Sequence, residues 1–282
     1  MKYTIIADSA CDLIDKEIKS AKINFVTVPL IISMNDKNFV DELDLNKEEF
    51  YANLKANKQK PTTACPSPEA FASKMREGGD NIICVTISSK LSGTYNSAYL
   101  AAAMVKEEQP NKNIFVLDSL GASAGEAVLI YELINLIENS DKDFSQICEE
   151  ITNIRNNTRT RFLLQDFGNL IKTGRMSKVQ AIIATMLNIK LICGDNGAGE
   201  IKQVAKCIGI KKALGTIASL ATEKLSNNKK TPITISHCQN QEEAEQLKEI
   251  FVTAYGAENV EVREMRGLAS FYANIKGIVV GF

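Results

Sequence analysis

The chain has 282 residues, a length that fits one large or two moderate domains. Its 33 lysines and arginines against 34 aspartates and glutamates leave a net charge of −1, without the basic excess that nucleic-acid binding shows. Apolar residues make up 45% and charged residues 24%, an ordinary globular balance at a size that needs no metal or disulfide staples. The seven cysteines contain no CxxC pair, and the single histidine, His237, excludes any site built on two. Cysteines set in apolar runs such as IICVT and KLICG read as reduced, buried thiols, which points to the cytoplasm. The apolar run in MKYTIIADSA is too short for a signal peptide, and no stretch is long enough to span a bilayer.

In chain order, residues 3–7 read as a buried strand, 11–20 as a helix capped near Ser9, and 24–32 as a second strand. Residues 47–56 form a helix begun by an Asn46/Glu49 capping box. KPTTACPSPEAF then carries Pro61, Pro66 and Pro68, too many for regular structure; a helix follows with Pro68 in its first turn. Residues 81–86 are a strand, and the loop SSKLSGT leads into a helix over 95–106. Residues 113–117 are a strand, and DSLGASAG leads into a helix over 126–138. The recurring strand, loop and helix predict an α/β protein whose N-terminal domain, 1–157, has a parallel sheet between two helical layers. Ligands meet such sheets at the loops after the strands' carboxyl ends.

The rhythm then changes. Helices over 161–172 and 178–187 precede a hairpin, 188–193 and 200–206, around DNGAG. A helix over 210–226, a strand over 232–237 and a helix over 241–255 follow. Strands over 259–263 and 277–281 complete a smaller C-terminal α+β domain, 158–282, with a mixed sheet.

GASAG, residues 121–125, fits the GxSxG nucleophile elbow between a strand and a helix. A serine-hydrolase reading makes Ser123 the nucleophile, with His237 and Asp195 behind it. Against that reading, Asp118, Ser119 and Leu120 separate the strand from the first glycine, too many residues for a sharp turn. No phosphate-binding GxxxxGK[ST] or GxGxxG occurs. LIKTGRMSK puts Arg175 beside Gly174, which reads as a helix C-cap with a cation on the last carbonyls. Two hydroxyl-rich, charge-poor loops remain, TTACPS (62–67) and SSKLSGT (88–94). Hydroxyls, a glycine allowing close approach and a helix N-terminus suit a carboxylate, and no general base or metal ligand stands nearby in sequence. From the residues alone, the same loops read equally well as caps and turns.

These segments resemble the DegV family. DSACDL (8–13) is similar to its DSTxDL opening, PTTACPSP (61–68) to PxTSxPSP, and SSKLSGTYNSA (88–98) to SSxLSGTYQSA. Residues 118–125 resemble the family's DSxxxSxGxG loop, LIKTGRMS its LxxGGRIS, and HCQNQEEAEQL (237–247) its HxxxxxxAxxL. The resemblance implies a two-domain carrier that holds a long-chain fatty acid in a tunnel between its domains. No cofactor or metal is implied, and the carrier is not itself the catalyst. A separate fatty acid kinase is the implied partner, with peripheral membrane contact as the route of lipid exchange. The family's carboxylate ligands fall on Thr63 and Ser92, with the backbone at Gly93 and Thr94 beside them.

Three positions depart from the pattern. Ala64 replaces a second loop serine. ANIKG (273–277) replaces HxGPG, whose histidine commonly completes the carboxylate site; Asn274 offers an amide donor instead. Ile208, in KCIGIKKA (206–213), replaces an arginine linked to kinase docking. These departures keep open a binding protein for another small carboxylate. The apolar stripes Ile182, Ile183, Met186, Leu187 and Ile210, Leu214, Ile217 suit either a core or a tunnel, where each buried methylene contributes about 0.8 kcal/mol.

Overall fold

Alternation along the first strands sends their side chains into two apolar layers, and this sets the architecture of the amino-terminal half. The computed structural model describes residues 3–57, 59–177, 188–225 and 229–282. The half begins with β1 (Tyr3–Asp8), β2 (Ile23–Val28), β3 (Ile31–Met34), β4 (Lys37–Val40) and α1 (Lys47–Ala56). It continues with β5 (Thr62–Ala64), α2 (Pro68–Glu77), β6 (Asn81–Thr86) and α3 (Thr94–Glu108). It closes with β7 (Asn113–Asp118), α4 (Ala124–Asn139) and α5 (Phe144–Asn157). Four strands form a parallel sheet in the order β2-β1-β6-β7. Ile5, Ala7, Ile83 and Val85 face α4 and α5, whereas Ile6, Ile82 and Cys84 face α2 and α3. Asn46, Ser67 and Asp143 cap α1, α2 and α5 by accepting backbone N–H bonds from Glu49, Ala70 and Gln146.

The second half contains β8 (Thr160–Leu163), α6 (Gly168–Lys172), β9 (Ile189–Asp195), β10 (Ile201–Ile208) and α7 (Ile210–Leu225). After these come β11 (Ile233–His237), α8 (Gln241–Tyr255), β12 (Val260–Glu264), α9 (Gly267–Ala273) and β13 (Ile278–Gly281). Six strands make a mixed sheet in the order β10-β9-β8-β13-β11-β12. One face of it packs Leu163, Ile192, Ile235 and Val280 against α7 and α8. The other face buries Phe162, Leu164, Leu191 and Cys193 against the small sheet β4-β3-β5 and α1 of the first half.

Several expected elements take a different form. Residues 11–20 hold no α-helix. They form 3-10 turns at Ser9–Cys11 and Asp15–Glu17, because Asp12 adopts φ 62° and commits its side chain to distant partners. The expected strand over 24–32 divides into β2 and β3, which belong to different sheets. The proline-bearing loop contributes β5, which pairs with β3. The expected helix over 161–172 is β8 followed by short α6. TRFLL is buried on both faces between β9 and β13, so its apolar run lacks the alternation that would mark a strand. The stripe of α7 is core, since Leu214 and Ile217 pack in the layer under the mixed sheet. The helix expected over 178–187, with Ile182, Ile183, Met186 and Leu187, lies outside the described residues.

Candidate ligand-binding site

The carboxyl ends of the parallel strands face the mixed sheet, and a cavity of about 110 Å³ lies between them. Ala10, Leu30, Ile87 and Leu120 form its wall on the first half; Phe162, Leu164, Leu268 and Val279 form it on the second. Thr63 and Ser92 line the same cavity, on β5 and on the loop between β6 and α3. The Thr63 hydroxyl shares a 2.9 Å hydrogen bond with the Tyr272 hydroxyl of α9. The Arg175 guanidinium lies 5.9 Å from the centre of the Tyr272 ring. Its Nε donates to the Leu91 carbonyl at 3.2 Å and its Nη1 to the Thr173 carbonyl at 2.8 Å. One cluster therefore gathers two hydroxyl-bearing loops, a phenol and a cation whose hydrogen bonds go to neutral carbonyls.

The remaining predicted residues sit around this cluster. Gly93 is the N-cap position of α3, and buried Thr94 holds Ser92 through a 2.8 Å bond between their hydroxyls. Neither lines the cavity with its own side chain. Asn274 is committed elsewhere: its amide donates to Asp166 at 2.8 Å, and its carbonyl accepts from the Ile275 N–H at 2.8 Å. Buried Ala273 lines the cavity instead. Ile208 ends β10 with 73% of its surface exposed, outside the cavity wall.

The nucleophile-elbow reading fails on geometry. Ser123 lines the cavity floor with φ 54°, but its hydroxyl donates to the buried carboxylate of Asp12. His237 Nδ1 accepts from the Asn240 N–H at 3.2 Å, and Asp195 accepts from the Thr160 N–H at 2.7 Å and Arg161 at 3.3 Å. No hydrogen bond joins Ser123, His237 and Asp195, so the base that would activate the serine is not in place. The glycines of the motif serve packing. A Cβ on Gly125 would overlap the Thr160 hydroxyl, and one on Gly121 would stand 2.9 Å from it. Small residues at the start of α4 thus let that helix press against β8 and β13.

Beneath the floor, Asp8, Asp12 and Glu126 are wholly buried. Asp8 accepts N–H bonds from Ala10 and Ile87, yet burial pushes its carboxyl up to about 7. Asp12 accepts from the Arg266 N–H at 2.9 Å and is likewise pushed up by burial, to about 6. Glu126 is raised by burial and then by the neighbouring charges of Asp8, Asp12 and Asp118; its oxygens have no partner among the described residues. No group of three or more His, Cys, Asp or Glu among the described residues is arranged to hold a metal ion. No helix among them is long and apolar enough to cross a membrane.

Sequence reasoning missed Arg175 and Tyr272 as cavity-facing groups. Arg175 lay in the LIKTGRMS match but looked sufficient as a helix-ending cation. Tyr272 belongs to α9, a seven-residue helix whose apolar residues gave no clear period.

The fold and the cavity define a two-sheet α/β protein with an apolar interior pocket and a polar cluster in its wall. The chain belongs to the DegV family, whose model matches residues 2–281 and is described as one of uncharacterised proteins. It is 34% identical over 283 residues to a DegV domain-containing protein of Streptococcus pyogenes serotype M3, covering 100% of this chain and 99% of that one. It is similar to the crystal structure of a Eubacterium eligens DegV family protein loaded with heptadecanoic acid. The TM-score is 0.89 and the identity 32%, over 99% of this chain and 98% of that one. It is also similar to the Streptococcus pneumoniae Fatty Acid Kinase (Fak) B3 protein loaded with linoleic acid. Here the TM-score is 0.90 and the identity 31%, over 100% and 99% of the two chains.

Proposed function

We propose that this protein binds a long-chain fatty acid, with the alkyl chain in the cavity and the carboxylate at the cluster of Thr63, Ser92, Arg175 and Tyr272. The observation that carries the reading is that cluster: neutral donors and one uncompensated guanidinium in the wall of an otherwise apolar pocket. Burying the chain supplies affinity at about 0.8 kcal/mol per methylene, while charge-assisted bonds fix the carboxylate end. Gly93 and Thr94 act through the backbone and through positioning Ser92; Asn274 supports the wall from outside. The protein is then a cytoplasmic carrier that presents the carboxylate to a separate fatty acid kinase and acts on nothing itself. Loading against a membrane surface supplies the apolar cargo. Seven free cysteines fit a reducing compartment.

The test is mass spectrometry of the organic extract from purified, denatured protein, followed by fluorescent fatty-acid binding. A stoichiometric long-chain fatty acid is the expected result. Ser92→Ala removes one bond to a charged group and weakens binding by roughly tenfold. An extract without acyl chains, together with failure to take up added palmitate or oleate, overturns the reading and favours a different small carboxylate.

A further inference from the structure

A second, polar groove opens outward from the cluster and shares Ser92, Arg175 and Glu200 with the apolar cavity. Its other polar walls come from Ser89, Lys90 and Asn96. The Lys90 ammonium is exposed and has no hydrogen-bond or ion-pair partner among the described residues. Arg175 spends its bonds on two carbonyls, so both cations face the groove without a carboxylate to balance them. Glycine at the N-cap of α3 brings no side chain to satisfy the helix's first N–H groups beside Ser92. Glu200 is the one acid in the groove, and its Oε2 accepts from the Asn196 amide at 2.9 Å. A single fatty carboxylate carries one negative charge, and the inner cluster already meets it. The groove therefore offers more positive charge than the proposed ligand uses.

We propose that this groove is a second subsite, which takes the phosphoryl group of an acyl phosphate while the acyl chain stays in the cavity. The inference rests on the fatty-acid reading above. In the transfer, a carboxylate oxygen attacks the γ-phosphorus of a nucleoside triphosphate held by the separate kinase. The bond from that phosphorus to the nucleoside diphosphate breaks, and no proton moves. The ligand's head then changes from a planar monoanion to a tetrahedral group of greater negative charge with three terminal oxygens, which needs further donors. Lys90, Ser89 and the open turn of α3 supply them. The consequence is that the carrier retains its activated product, a water-labile mixed anhydride, instead of releasing it on formation.

The experiment is displacement of a bound fluorescent fatty acid by palmitate and by hexadecylphosphonate, a stable phosphoryl-headed analogue, in the full-length protein and in Lys90→Ala. Hexadecylphosphonate is expected to bind the native protein at least as tightly as palmitate. Lys90→Ala is expected to weaken the phosphonate at least fivefold and leave palmitate unchanged, while Glu200→Gln strengthens the phosphonate. An unchanged phosphonate-to-palmitate affinity ratio in Lys90→Ala, with palmitate still bound, overturns the second subsite alone. Failure of palmitate to displace the probe from native protein overturns the fatty-acid reading with it. Displacement of the probe by inorganic phosphate alone also overturns the subsite, because the anion would then compete at the inner cluster.

Discussion

Asp8 and Asp12 show how far burial can outweigh hydrogen bonding at a single carboxyl. Each accepts backbone N–H bonds that favour the charged form, and each is nevertheless raised from the ordinary 3.8, to about 7 and about 6. Glu126, raised by the same burial and without a partner for either oxygen, adds to the effect. All three hold a proton in the folded protein that the unfolded chain gives up. Their contribution to stability is complete below about pH 4 and is lost as pH rises through 6 and 7. The melting temperature is therefore expected to fall between pH 5.5 and pH 8. Glu126→Gln, which keeps the shape and removes the titration, should reduce that fall. Differential scanning calorimetry across the range decides it, and a melting temperature that rises over the same interval contradicts the account. The same aspartates show what sequence could not supply. DSACDL was recognisable as a motif, but Asp12 holds Ser123 and Arg266, each more than a hundred residues away. A pattern read within a short window carries no sign of either partner, so the segment was taken for a helix.

At the level of elements, α4 was readable and its purpose was not. Its apolar residues repeat at helical spacing and pack on the parallel sheet through Leu129, Ile130 and Leu133. Its first turn carries the GxSxG spelling, whose meaning depends on a strand that enters the chain 35 residues later. Gly125 leaves no room for a Cβ against the Thr160 hydroxyl, and a Cβ on Gly281 would overlap the Ala124 carbonyl. Gly125→Ala should overpack this seam and destabilise the protein by about 1–3 kcal/mol in urea unfolding. Thr160→Ala in the same chain frees the space and should recover part of the loss, giving a non-additive cycle. Purely additive costs would show that the two residues do not meet. In contrast, β6, α1 and α8 were legible almost to the residue, because local apolar period and caps decide them. Helix α9 and strand β8 were not, because long-range partners place them. Asp41 of the first half accepts the N–H groups of Gly267 and Leu268 at 2.7 and 2.9 Å and so fixes the start of α9. Through that contact a buried aspartate positions Tyr272 at the cavity.

Across the whole molecule, the two sheets do not own separate interiors. The two layers around the parallel sheet draw only on the first half, and the layer beneath α7 and α8 only on the second. The fourth apolar cluster belongs to both: Leu30, Ile32, Met34, Phe50 and Leu54 meet Phe162, Leu164, Leu191, Leu268 and Phe271. Arg263 and Arg266 reinforce the junction, donating to the Asp12 and Leu13 carbonyls at 2.7 and 2.9 Å. We place the domain boundary at 157/158, where α5 ends and Arg159 begins backbone pairing with Phe282. On that division each half, expressed alone, would expose its share of the common cluster, an apolar area of the kind that monomeric proteins rarely leave uncovered. Residues 1–157 and 158–282 are therefore expected to aggregate or bind a hydrophobic dye when made separately. Made together, they should copurify and take up a fluorescent fatty acid, because the cavity is built only when the shared cluster closes around it. Two halves that are each monodisperse and dye-negative would show that the common cluster is a contact surface between finished domains.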